Sequence, residues 1–418
     1  MDLKGKTVTI IGAARSGIAA ANLVMAAGGR AKITDAKPLA EIEKNLAGLK
    51  NRDSVLVESG AHTKDFVTSS DLVVASPGVW RDAEPVQWAR ANGRPVWSEI
   101  EFAWRFCTKP VIAVTGSNGK TTTVTLITNV LEAGGKKVRL CGNVGTPFAQ
   151  HVLESADLDF FVVEISSFQL ELIETFRPHI AAILNFSQNH LDRHKDMQEY
   201  LEAKKRIFLN QTSADYALLN RRDSFVRPLA NEVRSKVRWF NHEGETRNPD
   251  HLAVLEVARI LGIPDAIADK VIEEFPGVEH RLEKVRVLDG VKYINDSKAT
   301  TDESGRWALM NIKGPIIMIC GGSNKKLDYS VLRDLVARTV KKMIVLTRDE
   351  VVRQELHRAF DGAVPLEDHT DMKEAVRSAR AQAMSGDSVL LSPMTASFDM
   401  FKNYEERGRV FKQIVKEL

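Results

Sequence analysis

Short apolar runs recur along the chain at intervals filled by longer stretches of helical periodicity. Thr7–Ile11, Ala31–Thr34 and Asp71–Ala75 are the first. Pro110–Val114, Lys137–Leu140, Phe160–Glu164, Ile180–Leu184 and Tyr216–Leu219 follow, then Lys284–Leu288, Val291–Ile294, Pro315–Ile319, Lys342–Leu346 and Ser388–Leu391. Four or five apolar residues bounded by turn signals read as buried strands. Helical patterns lie between them, at Ile18–Ala27, from Lys120 through Leu131, from about Met197, at Leu252–Leu261 and from about Lys402. Strand and helix in alternation predict an α/β protein with mostly parallel sheets.

The 418 residues leave room for about three domains of ~150 residues. The boundaries fall at 1–96, a Rossmann-like domain; 97–279, a central domain built like a P-loop ATPase; and 280–418, a second Rossmann-like α/β domain. A net charge of +3 gives no argument for a nucleic-acid partner. No apolar stretch approaches the ~18 residues of a membrane helix, and the N-terminus lacks a signal-peptide pattern. Cys107, Cys141 and Cys320 are widely spaced and odd in number, which fits a reducing, cytoplasmic location.

Chemistry concentrates where strands end. The run Pro110–Val114 passes into Thr115-Gly116-Ser117-Asn118-Gly119, and Lys120-Thr121-Thr122 opens a helix. A strand, a glycine turn and a helix N-terminus form a phosphate cradle. Backbone N–H groups face the anion, Lys120 reaches the terminal phosphates, and the Thr121 hydroxyl is placed for Mg²⁺. The usual spacing would put the first glycine at Val114; here it is Gly116. Glu164 ends a neighbouring strand, where P-loop proteins carry a magnesium-binding carboxylate. Asn185 to His194 is a dense polar cluster after another strand, with His190 a candidate metal ligand or substrate contact. Lys204 lies on an amphipathic helix, and nothing in its periodicity sets it apart.

The first strand ends in Gly12-Ala-Ala-Arg-Ser-Gly17. Ala14 stands where a dinucleotide fingerprint needs its second glycine. The turn therefore reads as a packing turn, a dinucleotide site, or the site of another nucleotide-linked ligand near Asp35 and Lys37. In the last domain, Asn295–Thr300, Cys320–Lys325 and Leu391–Asp399 each follow a strand, which predicts a second ligand face.

Taken in order, these motifs resemble the Mur ligases, the ATP-dependent amide ligases of peptidoglycan precursor synthesis. The resemblance spans nearly the whole chain. It rests on Thr115–Thr121, Glu164-Ile-Ser-Ser, His190-Leu-Asp-Arg-His, Ala203-Lys204, His280-Arg281, Asn295–Thr300 and Gly321-Gly322. Within the family, Gly12–Gly17, Ser166–Glu171, Asn295–Thr300 and Ser392–Gly408 look like the members that add D-glutamate, and the Asp-Asn-Pro-Arg motif of the diaminopimelate- or lysine-adding members is absent.

The resemblance implies addition of D-glutamate to UDP-N-acetylmuramoyl-L-alanine through an acyl phosphate. A related Mur or folylpolyglutamate-type ligase is the alternative; an oxidoreductase or a non-catalytic binding protein are more distant ones. It implies UDP-substrate contacts from Arg15, Ser16, Asp35, Lys37, Asn143 and Ser166. ATP would be held by Gly116, Ser117, Asn118, Gly119, Lys120, Thr121, Thr122, Asn248, His251, Arg281 and Asp296. Two Mg²⁺ ions would sit on Thr121, Glu164, His190 and a carbamylated Lys204, with Lys120, His190 and Lys204 catalytic. Thr300, Lys325, Ser397 and Tyr404 would form the D-glutamate pocket. A monomer in the cytoplasm with small-molecule substrates and no nucleic-acid or membrane partner is expected. Asn189 stands where the family often has aspartate, and His251 where it has asparagine. No role falls to Lys298.

Overall fold

The computed structural model describes residues 1–187, 193–324 and 327–418. The chain forms two compact units, Met1–Phe275 and Pro276–Leu418. The α/β class and the mostly parallel sheets agree with the sequence reading.

The first unit holds two parallel sheets. Strands β1 (Thr7–Ile11), β2 (Arg30–Asp35), β3 (Leu56–Ser59), β4 (Leu72–Ala75) and β5 (Val96–Ser98) lie in the order β3-β2-β1-β4-β5. Strands β6 (Val111–Thr115), β7 (Val138–Gly142), β8 (Phe160–Glu164), β9 (Ile180–Ile183), β10 (Tyr216–Asn220) and β11 (Lys236–Phe240) follow in the order β11-β10-β9-β6-β8-β7. Every residue of β6 is buried, because helices cover both faces of a parallel sheet. One apolar cluster runs from Val8 and Ile10 of the first sheet through Ile100 and Phe102 to Phe161 and Val163 of the second.

The second unit has six strands: β12 (Glu283–Leu288), β13 (Val291–Asn295), β14 (Ile316–Cys320), β15 (Val340–Leu346), β16 (Leu366–His369) and β17 (Ser388–Leu391). Their order is β12-β13-β17-β14-β15-β16. Only β12 runs antiparallel to its neighbour, joined by a tight turn at Asp289-Gly290 with both residues at positive φ. Among the described residues no helix is long and apolar enough to cross a membrane.

Sequence reasoning passed over β3, β5, β11 and β16. These strands are short, or they form sheet edges with exposed polar positions, so the apolar signal is weak; Leu56 of β3 is 65% exposed. The helix expected from Leu252 begins three residues earlier, at Pro249, capped by the Asn248 side chain.

Glu99 is a buried carboxylate of the first unit, 1% exposed. It opens the helix Glu99–Trp104, accepts from the Ala149 N–H at Oε1, and leaves Oε2 without a partner. Burial raises its pKa to about 7. The unfolded chain loses this proton near the ordinary carboxyl value, so the stabilisation is complete below that and is lost as pH rises through about 7. E99Q should flatten the dependence. Wild type should lose about 2–3 kcal/mol relative to the variant between pH 5 and pH 8, measured by urea unfolding. Parallel pH profiles would rule this out.

Candidate functional site

Strand β6 lies between β8 and β9, so its C-terminal end is flanked by the ends of both. Val114 pairs with Glu164 and Thr115 with Ile183. The loop Gly116–Gly119 is pinned from the β9 side. Ser117 N–H donates to the Asn185 carbonyl at 3.1 Å and Asn118 N–H to Asn185 Oδ1 at 2.9 Å. Ser117 Oγ donates to the Ser187 carbonyl. Gly119, at φ +80°, starts the helix Lys120–Ala133 with a left-handed residue that a side chain would strain.

Two amines meet on one carbonyl. Lys120 Nζ donates to the Gly116 carbonyl at 2.8 Å and to that of Ser117 at 3.0 Å, and Lys204 Nζ donates to the same Gly116 carbonyl at 2.9 Å. Lys204 is 1% exposed and lies over the Tyr200 ring. Burial first, and Lys120 second, push its pKa well below that of an ordinary lysine. The residue that periodicity did not distinguish thus reaches the phosphate loop from a buried position on the helix Met197–Lys205. Beside it, the Thr121 hydroxyl donates to Glu164 Oε2 at 2.8 Å, and Asn143 Nδ2 donates to Oε1 at 2.8 Å. Thr121, Glu164, Asn143, Lys120 and Lys204 therefore form one constellation. Ser166 caps the helix Ser167–Leu170 in a reciprocal pair with Gln169. His190 lies outside the described residues.

The first sheet presents a second anion-ready turn. A Cβ on Gly17 would stand 1.9 Å from the Gly12 carbonyl oxygen, so the helix Arg15–Ala26 reaches the strand only with glycine there. Ala14, the replaced position, is exposed at the helix N-terminus. Both oxygens of Asp35 hold the turn, accepting from Ala13 N–H at 2.7 Å and Lys37 N–H at 2.9 Å. Arg15 donates to the Gly145 carbonyl, next to the Gly142–Gly145 loop, and Ser16 is half-buried beside it. Asn248 and His251 open the helix Pro249–Ile260; Thr122 lies one residue beyond Thr121.

In the second unit, β13, β17 and β14 are adjacent, so the three polar strand ends meet at one edge. Asp296 N–H donates to the Leu391 carbonyl, Gly321 N–H to that of Pro393, and Met394 N–H to that of Ala299. The Arg407 guanidinium, 1% exposed, ties this edge together through the carbonyls of Ser297, Thr395 and Ala396 and the Ser297 hydroxyl. Thr300 and Ser397 belong to these segments, and Tyr404 opens the helix Tyr404–Glu417; Ser397 is buried, and the Tyr404 carbonyl accepts from the Ser297 hydroxyl. Lys298 lies over the Tyr404 ring. Asp296 is buried and raised to about 7 by desolvation. Lys325 lies outside the described residues.

Arg281 sits on a knuckle between His280 and Leu282, both at positive φ. The seat of His280 is the Asn295 amide, which donates to Nδ1 at 2.9 Å and to Glu283 Oε2 at 2.9 Å. Gly408 backs the ring: a Cβ there would lie 2.2 Å from Nδ1. Glu279, His280 and Glu283 converge like metal ligands, yet the Lys412 ammonium already stands 2.9 Å from Glu279 and 2.5 Å from Glu283. Sequence reasoning missed the roles of Asn295, Arg407 and Gly408 in building this edge. A glycine inside a helix is the signal that could have pointed to Gly408.

Three family models match in chain order. They are a MurD-like N-terminal domain over residues 6–98, the Mur ligase middle domain over 114–258, and the Mur ligase glutamate ligase domain over 280–394. A UDP-N-acetylmuramoylalanine–D-glutamate ligase of Koribacter versatilis is 37% identical, covering 100% of this chain and 99% of its own. The chain belongs to the Mur ligase family. Another relative of the same description, from Desulfovibrio desulfuricans, is 39% identical over 99% of this chain and 97% of its own. Among solved structures, MurF from Acinetobacter baumannii shares the fold, with a TM-score of 0.58 and 16% identity over 93% of this Mur ligase and 86% of that chain.

Proposed function

We propose that this Mur ligase joins D-glutamate to UDP-N-acetylmuramoyl-L-alanine, consuming ATP and releasing ADP and phosphate in peptidoglycan precursor synthesis. The observation that carries the proposal is the cluster of Lys120, Lys204, Thr121 and Glu164 around one phosphate loop, in a chain whose full-length relatives bear that activity in their names.

The alanyl carboxylate attacks the γ-phosphorus of ATP, and the bond to the bridging oxygen of ADP breaks. The D-glutamate amine then attacks the acyl carbon; the C–N bond forms, phosphate leaves, and the amine gives up a proton. Lys120 and the N–H groups from Gly119 to Thr122 bind the phosphates and oppose the charge that builds on them, while the N–H groups of Ser117 and Asn118, engaged by Asn185, shape the loop. Asn248 and His251 hold adenine, and Arg281 and Asp296 hold phosphate and ribose. Arg15, Ser16, Asp35, Lys37, Asn143 and Ser166 hold the UDP-substrate; Asp35 acts by shaping the turn, since its oxygens are already engaged. Thr300, Lys325, Ser397 and Tyr404 receive D-glutamate. Residues 1–96, 97–279 and 280–418 thus divide the substrates among them.

Thr121 and Glu164 are adjacent buried oxygen donors, the chemistry that Mg²⁺ takes. They would hold one ion, and His190 with Lys204 a second; the metal supplies charge neutralisation between two anions. Lys204 fits only as a carbamate. Burial lowers its pKa and so favours the unprotonated amine that attacks CO₂, forming an N–C bond and losing a proton, and the product is an anionic oxygen ligand. We read the protein as a cytoplasmic monomer with small-molecule substrates and no nucleic-acid or membrane partner.

Phosphate release from Mg·ATP with UDP-N-acetylmuramoyl-L-alanine should occur with D-glutamate and not with L-glutamate, L-alanine, L-lysine or diaminopimelate. Turnover with another amino acid would reject the D-glutamate assignment. No turnover with any, from folded protein, would reject the ligase reading.

A further inference from the structure

Asp250 has no part in the scheme above, yet its carboxylate is aimed at the phosphate loop. It lies in the first turn of the helix Pro249–Ile260, between Asn248 and His251, with its N–H held by Asn248 Oδ1 at 2.9 Å. A Cβ on Gly119 would stand 2.3 Å from Oδ2 and 2.4 Å from Oδ1. The space that glycine leaves at the start of the helix Lys120–Ala133 is therefore taken by a carboxylate. Among the described residues no hydrogen bond reaches either oxygen. Burial raises the group to about 6, with Lys120 as the opposing cation, so it is ionised at pH 8.

An anion in that place does not help a phosphate loop bind phosphate. The backbone amides and the helix end attract the nucleotide, and Asp250 repels it. The repulsion grows with the charge of the ligand, and metal-free ATP carries roughly twice the charge of its magnesium complex. A fixed carboxylate at the loop thus penalises the metal-free form about twice as strongly as the magnesium complex.

We propose that Asp250 is a specificity-determining residue of the phosphate site: its carboxylate penalises nucleotide that arrives without a divalent cation. The inference rests on the reading of this loop as an ATP site and adds to it a selection for the metallated form. Such selection keeps the loop from being filled by nucleotide that lacks the cation the reaction needs.

Calorimetric titration of the full chain with ATP at pH 8, once in EDTA and once in excess Mg²⁺, tests it. D250N is close to isosteric and should tighten metal-free ATP about tenfold while changing Mg·ATP by less than about threefold. D250A removes shape as well as charge and should behave like D250N. Equal shifts in both conditions, no shift in either, or a gain confined to D250A would overturn the inference while leaving the ATP site standing. Failure of the wild-type chain to bind Mg·ATP would overturn the ATP reading, and this inference with it.

Discussion

Lys204→Ala should lower the rate of phosphate release about a thousandfold or more, with ATP, Mg²⁺ and both acceptor substrates saturating. The argument starts from burial. A lysine that is 1% exposed, with its amine on a backbone carbonyl and a second lysine close by, has its pKa pushed well below the ordinary value by burial first and Lys120 second. Burial works against the charged form of this amine, and the proposed carbamate gives the side chain a role as an oxygen ligand. Alanine removes the acceptor that carbamylation would supply and leaves the transferring phosphoryl group without one of its metal anchors. Lys204→Arg should be as inactive, because a guanidinium stays protonated and forms no carbamate. Thermal melting should place Lys204→Ala near wild type, since removing a buried amine also removes its desolvation cost. Wild-type rates in Lys204→Ala would end the carbamate assignment.

Arg407→Ala should cost the second unit about 3–5 kcal/mol. The guanidinium is buried, and desolvation lowers its pKa to about 10 with Asp399 opposing. Its donors reach the carbonyls of Ser297 at 2.9 Å, Ala396 at 3.1 Å and Thr395 at 3.2 Å, and the Ser297 hydroxyl at 3.1 Å. Alanine would leave these acceptors buried and unsatisfied. The segments 295–300 and 392–397 should then exchange amide hydrogens faster, and the affinity for the amino acid should fall with them. Lysine should not restore stability, because one nitrogen cannot span acceptors arranged for a planar fork. A urea midpoint for R407A within experimental scatter of wild type would contradict the role.

Much of this was legible before any coordinates. The strand, turn and helix around Lys120 follow from an apolar run, two glycines and a helix start, all local signals. The same holds for the strand-end positions of Glu164 and Asp296. What sequence could not carry is which long side chains turn inward. Arg407 sits in Glu-Glu-Arg-Gly, a pattern that reads as a solvated helix face, and only the loops after β13 and β17 make it a core residue. Lys204 is the same case on a helix with a basic face. Asp250 reads locally as an acidic residue favouring a helix N-terminus; its approach to Gly119 joins segments far apart in the chain. Antiparallel β12 was visible as a strand, but its direction is set by the turn that follows and by pairing with β13.

The shared carbonyl of Gly116 has one more consequence. A carbamate keeps an N–H on its nitrogen, so Lys204 can gain an anionic end without releasing the hydrogen bond that fixes it. On the proposed carbamate the carbonyl would work as a pivot: one side chain would change its chemical identity, from donor to charged acceptor, around a point that does not move. That proposed change would need only a reagent as small as CO₂ and no rearrangement of the backbone.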